Sequence, residues 1–275
     1  MKLEMLVNLG TKRLEEKGIQ DAKIDAIYLL EYVLHISKFQ YLMEKNREVT
    51  KEQQDAYLSA IDMRSTRVPL QHITGEQEFM GFTFRVNQHV LIPRQDTEIL
   101  VEEVVKLGKG KRILDMCTGS GCIILSLEQL CEPQMTVGVD FSKDALLVAM
   151  ENGKIFHSNT KWIHSDLFTN VEGTFDIIVS NPPYIETKVI EGLEEEVRCH
   201  EPYMALNGGE DGLVFYRKII EQSEQYLNKD GFLCFEIGYN QGDAVKQYME
   251  DKGFTQCRII KDLAGLDRVV IGKGR

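Results

Sequence analysis

Residues 174–184 read TFDIIVSNPPY, and the reading of the fold starts there. Phe175 to Val179 is a short apolar run rich in β-branched side chains, the pattern of a buried strand. It stops at Ser180-Asn181-Pro182-Pro183. Proline has no N–H to give a central strand, so the sheet must end at that point. Asn181, preceding a proline, is held extended. A stiff, kinked loop therefore stands at the carboxyl end of a strand, presenting an amide side chain, free carbonyls and the ring of Tyr184. In open α/β sheets, ligands bind at such strand ends.

From Lys111 onward, strands and helices alternate around this stretch. Strands are expected at Arg112–Met116, Met135–Val139, Lys161–His164, Phe175–Val179, Phe232–Ile237, Thr255–Ile260 and Arg268–Ile271. Helices are expected at Cys122–Leu130, Lys143–Phe156, Gly212–Leu227 and Gln241–Lys252. Such alternation makes a mostly parallel sheet covered on both faces, and the short last connection pairs the final two strands antiparallel.

The first strand runs into Cys117-Thr118-Gly119-Ser120-Gly121 and then a helix. Glycines there let backbone approach a ligand, and the helix start offers free N–H groups. Ile124 stands where a dinucleotide fold needs its third glycine, and no GxxxxGK[ST] is present. Asp115, before the loop, suits a ligand carrying positive charge. Asp140 closes the second strand about 20 residues on, placed to accept from two ribose hydroxyls. Asp166 closes the third and can accept from an adenine amino group, with Leu167 or Phe168 against the ring. Three carboxylates at three strand ends describe a nucleoside pocket, and a sulfonium carrying adenosine and an amino-acid tail would use all of them.

Taken in order, DMCTGSG, VGVD, SDLF and SNPPY resemble a class I S-adenosylmethionine-dependent methyltransferase of the amino-methylating group. More narrowly, PLQHITGEQEFMGFTFRVNQHVLIPRQDTE, SNPPYI and EVRCHEPYMALNGGEDGLVFYRKII resemble the HemK/PrmC family, over nearly the whole chain. That resemblance implies a protein-(glutamine-N5) methyltransferase acting on the GGQ motif of peptide chain release factors, with S-adenosyl-L-methionine as donor and S-adenosyl-L-homocysteine as product. It implies a seven-stranded, Rossmann-like α/β domain with a small N-terminal helical bundle. It places Cys117, Thr118, Gly119, Ser120, Gly121, Asp140, Asp166, Leu167 and Asn181 on the donor. Asn181, Pro182, Pro183 and Tyr184 fall on the substrate, with Asn181, Pro182 and Tyr184 catalytic and no metal required. Cys117 stands where the family usually has glycine and Gln95 where proline is common; a positive φ at Cys117 would be strained.

Residues 2 to about 67 read as helices, with Thr50 and Gln53 forming a capping box. The expected domains are a helical substrate-recognition unit over 1–74, a β-hairpin linker over 75–93 turning at Asn87-Gln88, and the methyltransferase unit over 94–275. Thr97 is expected to cap the helix that follows Arg94. Glu191 to Gly212 reads equally as a solvated acidic turn or as a lid, bending at Asn207-Gly208-Gly209.

Composition narrows the partners. The net charge is −11, and residues 1–80 carry 11 basic against 13 acidic side chains, so neither part has the basic footprint of a nucleic-acid binder. No run approaches the ~18 apolar residues of a membrane helix, and MKLEMLVNLG is no signal peptide. Six cysteines without a CxxC pair read as reduced thiols of a cytoplasmic protein, expected to be a monomer. The rivals are an adenine-N6 nucleic-acid methyltransferase, which would flip a base against Tyr184, a non-catalytic adaptor, which would have a broken loop or Asn-Pro-Pro-Tyr, and a nicotinamide or flavin oxidoreductase.

Overall fold

The strand expected at Phe175–Val179 forms as Phe175–Ser180, one residue longer. A computed structural model describes residues 1–275, divided into two units: Met1–Gly75 with Glu194–His200, and Glu76–Leu193 with Glu201–Arg275.

In the smaller unit, helices Leu3–Glu16, Ala22–Leu34, Lys38–Met43, Lys51–Ser65 and Leu70–Thr74 enclose Leu6, Leu14, Leu29, Leu30, Tyr57 and Ile61. The capping box at Thr50 and Gln53 forms, and Ser37 with Gln40 makes a second one. Gly10 lets two helices approach closely, since a Cβ there would stand 2.2 Å from the Tyr57 hydroxyl. Arg64 is buried, bonded to Asp25 at 2.7 Å and to Glu196 at 3.1 Å, and Arg67 reaches Glu196 at the same distance. These ion pairs explain why the short helix Glu195–His200, remote in sequence, belongs here.

The larger unit holds β1 (Glu76–Phe79), β2 (Phe82–Arg85), β3 (Arg112–Met116), β4 (Met135–Asp140), β5 (Lys161–His164), β6 (Phe175–Ser180), β7 (Leu227–Glu236), β8 (Thr255–Lys261) and β9 (Asp267–Lys273). Seven of them form one sheet in the order β5-β4-β3-β6-β7-β9-β8, in which β9 alone runs against the rest. The antiparallel ending expected from the short last connection is therefore present. The side chains alternate across the sheet as period-2 geometry requires. Leu114, Ile178, Leu233 and Phe235 join one core layer; Ile113, Ile177, Val179 and Cys234 join the other, under the helices Gln95–Gly108 and Cys122–Cys131.

Three expectations are corrected. The hairpin turns at Met80-Gly81, not at Asn87-Gln88: Phe79 pairs with Phe82, and both turn residues have positive φ (53° and 76°), as a type I′ turn demands. It packs Phe79 and Phe84 into the core with Leu100 and Val104, as part of the larger unit. Residues 90–92 form no strand. The helix expected over Gly212–Leu227 spans only Val214–Ser223, and Leu227 already pairs with Phe175. The polar run Asn228–Gly231 hides this strand start, because it reads as a turn although the ladder continues past it.

Candidate active site

Chain order reverses at β3: the chain goes on to β4 and β5 on one side, then returns to β6 on the other. This switch point is where open α/β sheets bind ligands. Met116 pairs with Ser180, so the loops after β3 and β6 leave the sheet side by side, and Ser180 Oγ donates to the Met116 carbonyl. Between them lies a cavity of about 330 Å³.

The loop after β3 is folded by its own polar groups. Thr118 Oγ1 donates to Asp115, and Gly119 N–H donates to Asp140 Oδ2 at 2.8 Å. Cys117 has φ 65°, so this cysteine does occupy the left-handed region expected to strain it. Burial pushes its thiol well up, which keeps it protonated and unreactive. Gly119 (φ 55°) has nothing within 4 Å of where a Cβ would stand. Gly121 (φ 79°) caps the helix Cys122–Cys131 and packs on Trp162, behind the loop.

Asp115 is fully buried, and that burial raises its carboxyl to about 7; Thr118 opposes the shift and Asp140 adds to it. Its Oδ1 and the hydroxyl of Ser120 have no hydrogen-bond partner. Two unpartnered buried polar atoms beside an open glycine fit a ligand with a cationic, hydrogen-bonding end. Asp140 accepts Ser142 N–H on Oδ1 and Gly119 N–H on Oδ2, which leaves each oxygen a further lone pair. Burial raises this group too, against those hydrogen bonds. Asp166 is exposed at the cavity and Leu167 (φ 46°) lines it. Phe168 does not reach the ligand space: it stacks on Tyr226 in the core, ring centroids 4.6 Å apart.

On the other wall, Asn181 is half-buried and its Nδ2 donates to Thr97 Oγ1 at 3.3 Å. Pro183 also lines the cavity, whereas Pro182 and Tyr184 are not in its wall. Tyr184 packs on the core, and its hydroxyl donates to Glu236 Oε1 at 3.3 Å.

Thr97 is not the helix cap, a position Arg94 holds without a side-chain bond; it lies in the first turn, 2% exposed, facing Asn181. Arg94 lines the cavity and pairs with buried Glu201, and Glu98 accepts from Met80 N–H. Pro202, Met204, Ala205, Phe215 and Lys218 complete the enclosure. The span 191–212 is thus divided, its middle held in the helical unit and its end forming cavity wall. Gly208 serves close packing rather than bending: a Cβ there would stand 2.7 Å from Tyr184 Cα. Sequence reading missed Glu236, whose one signal is an acid closing an apolar strand.

Residues 5–75 match the PrmC N-terminal domain family and residues 94–197 the methyltransferase small domain family. The release factor glutamine methyltransferase of Thermodesulfovibrio yellowstonii is 42% identical over 254 residues, covering 90% of this chain and 91% of its own. That of Clostridium botulinum is 38% identical over 283 residues, 98% of each chain. Among solved structures, a methyltransferase from Pyrococcus furiosus aligns over 71% of this chain and 90% of its own at TM-score 0.55 and 18% identity, a likeness of fold. By sequence over nearly its full length, and with the sheet order and switch-point cavity described above, the chain belongs to the family of release factor glutamine methyltransferases, which are S-adenosylmethionine-dependent enzymes.

Proposed function

We propose that this chain transfers a methyl group from S-adenosylmethionine to the side-chain amide nitrogen (N5) of the glutamine in the GGQ motif of a peptide chain release factor. The observation that carries this reading is the Asn181 amide. Its nitrogen is tied back to Thr97, so its oxygen is the end left for a substrate N–H beside the donor loop.

When bound, the donor supplies an electrophilic methyl group on a sulfonium. Asp140 accepts from the ribose hydroxyls, Asp166 from the adenine amino group, and Leu167 lies against the ring. Thr118, Gly119 and Ser120, with Asp115 beneath them, receive the cationic amino-acid end, while Cys117 and Gly121 set the turn of the loop.

An amide nitrogen is a weak nucleophile because its lone pair is shared with the carbonyl; the ~18–20 kcal/mol barrier to C–N rotation gives the scale. Asn181 Oδ1 and the Pro182 carbonyl each accept one hydrogen of the glutamine NH2, which turns the nitrogen lone pair toward the methyl carbon. As the N–C bond forms, the nitrogen gains positive charge and its hydrogens become stronger donors. Both acceptors therefore bind the transition state better than the ground state. Holding the reacting atoms in line contributes up to ~7–11 kcal/mol. The N–H proton leaves to water after transfer. Pro183, in the cavity wall, and Tyr184, packed on the core and tied to Glu236, keep the acceptor loop rigid.

Residues 1–74 serve substrate recognition in this reading. Ile24, Tyr28 and Tyr32 are spaced four residues apart on the helix Ala22–Leu34, and all three are exposed. The net charge of −11 favours a protein substrate over direct contact with nucleic acid. The same reading makes the enzyme a cytoplasmic monomer; no helix is long and apolar enough to cross a membrane, and all six cysteines are free.

The test is methyl transfer from labelled donor to purified release factors, with a Gln→Ala change in the GGQ motif as control. Label appearing equally in the control would sink the reading.

A further inference from the structure

We propose that Thr97 and Glu236 are positioning residues that decide which end of the Asn181 amide faces the reacting nitrogen. The inference rests on the proposed acceptor role of Asn181 and deepens it.

Glu236 closes β7, two residues after Cys234, on the sheet face covered by the helix Gln95–Gly108. That helix brings Thr97 to it. Both are 2% exposed. Glu236 Oε1 accepts from Tyr184, while Oε2 has no hydrogen-bond partner. The Thr97 hydroxyl favours the charged form of this carboxylate, and its own oxygen accepts from Asn181.

Proton counting then fixes the polarity. An ionised carboxylate can only accept, and a hydroxyl has one proton. With the Thr97 proton turned to the unpartnered Glu236 Oε2, Oγ1 has only lone pairs to offer Asn181. Only the NH2 end of an amide can answer them. Asn181 is thereby held with Oδ1 turned to the substrate. If Glu236 carries a proton, that proton can go to Thr97 Oγ1 and the Thr97 hydrogen is released toward Asn181. The amide is then free to reverse and to show a donor to the substrate's own donor.

The charge on Glu236 is balanced close to neutrality of pH. Burial raises its carboxyl to about 7 and Asp96 adds to the rise, while Thr97, Arg268 and Tyr184 oppose it. Tyr216 and Cys122 are the other titratable groups whose own ionisation it disfavours. Arg268 is held beside it by Asp96 and Asp262, each at 3.1 Å.

The experiment measures kcat at saturating donor and release factor, and donor affinity by calorimetry, over roughly pH 6 to 9. Thr97→Val is expected to lower kcat by about 10- to 100-fold with donor affinity unchanged, and Thr97→Ser to restore most of it. Wild-type kcat is expected to fall as pH drops through about 7. In Glu236→Gln that limb disappears. Wild-type turnover in Thr97→Val, no recovery in Thr97→Ser, or an unchanged acid limb in a folded Glu236→Gln overturns the proposal. If Glu236→Gln does not fold, the threonine pair decides. Asn181→Ala separates the two readings: an inactive Asn181→Ala beside a fully active Thr97→Val defeats the positioning role alone, whereas a fully active Asn181→Ala defeats the acceptor role beneath it.

Discussion

In the proposed function Asn181 serves turnover and Asp140 donor binding, so their loss should separate kcat from affinity. Asn181→Ala removes one oriented acceptor and should lower kcat by roughly 10²–10³ while calorimetry shows donor binding intact. Asp140→Ala should do the reverse, with donor affinity falling first; the same variant also frees Gly119 N–H and Ser142 N–H, which it now holds. Asp115 predicts a pH dependence. Its carboxyl is raised to about 7 by burial, so its anion, and with it affinity for a cationic donor, should build up as pH rises through that value. Asp115→Asn should flatten the curve, as titration calorimetry at several pH values would show. Without donor the sign is opposite. The folded chain keeps a proton that the unfolded chain gives up near 3.8, so stability from this group is full below that pH and is lost as pH rises to about 7.

At the scale of elements, close approach is what single substitutions expose. Gly10→Ala would push a methyl group into the Tyr57 hydroxyl, which itself donates to the Ala26 carbonyl. We expect a loss of about 1–3 kcal/mol in urea unfolding, with donor binding unaffected. Elements were legible in the sequence wherever local pattern was sufficient. β3 and β5 came out residue for residue, because both are bounded by unambiguous polar or glycine punctuation. The hairpin turn was misread because Met80 gives no local sign of its positive φ, while Asn87-Gln88 looks like a turn. That the loop after β3 and Asn181, which both line the cavity, would stand together at the strand ends was legible because chemistry and backbone signal coincide in consecutive residues. Thr97 and Glu236 were not. Their meeting depends on which sheet face a distant helix covers, and a period-2 pattern does not carry that information at a strand's last residue. Cys117 shows the converse: the sequence located the strain, and the backbone has it.

Across the whole molecule, the helical unit depends on charges that no local reading pairs. Arg64 and Asp25 have side chains only 10% exposed, and Glu196 comes from a segment 132 residues away from Arg64. Arg64→Ala leaves Asp25 buried without its cation, while Glu196 keeps Arg67, so the substitution should cost about 3–5 kcal/mol by chemical denaturation. The allocation of Glu194–His200 to that unit has a covalent corollary. The polypeptide passes from one unit to the other three times, at 75/76, 193/194 and 200/201. A protease that nicks a single crossing severs the chain, and the two pieces then stay together only through packing, for a cut at 75/76 that of residues 1–75 on Glu194–His200. Excision of the first 75 residues would instead strand a heptapeptide whose neighbour, Glu201, anchors Arg94 at the cavity mouth.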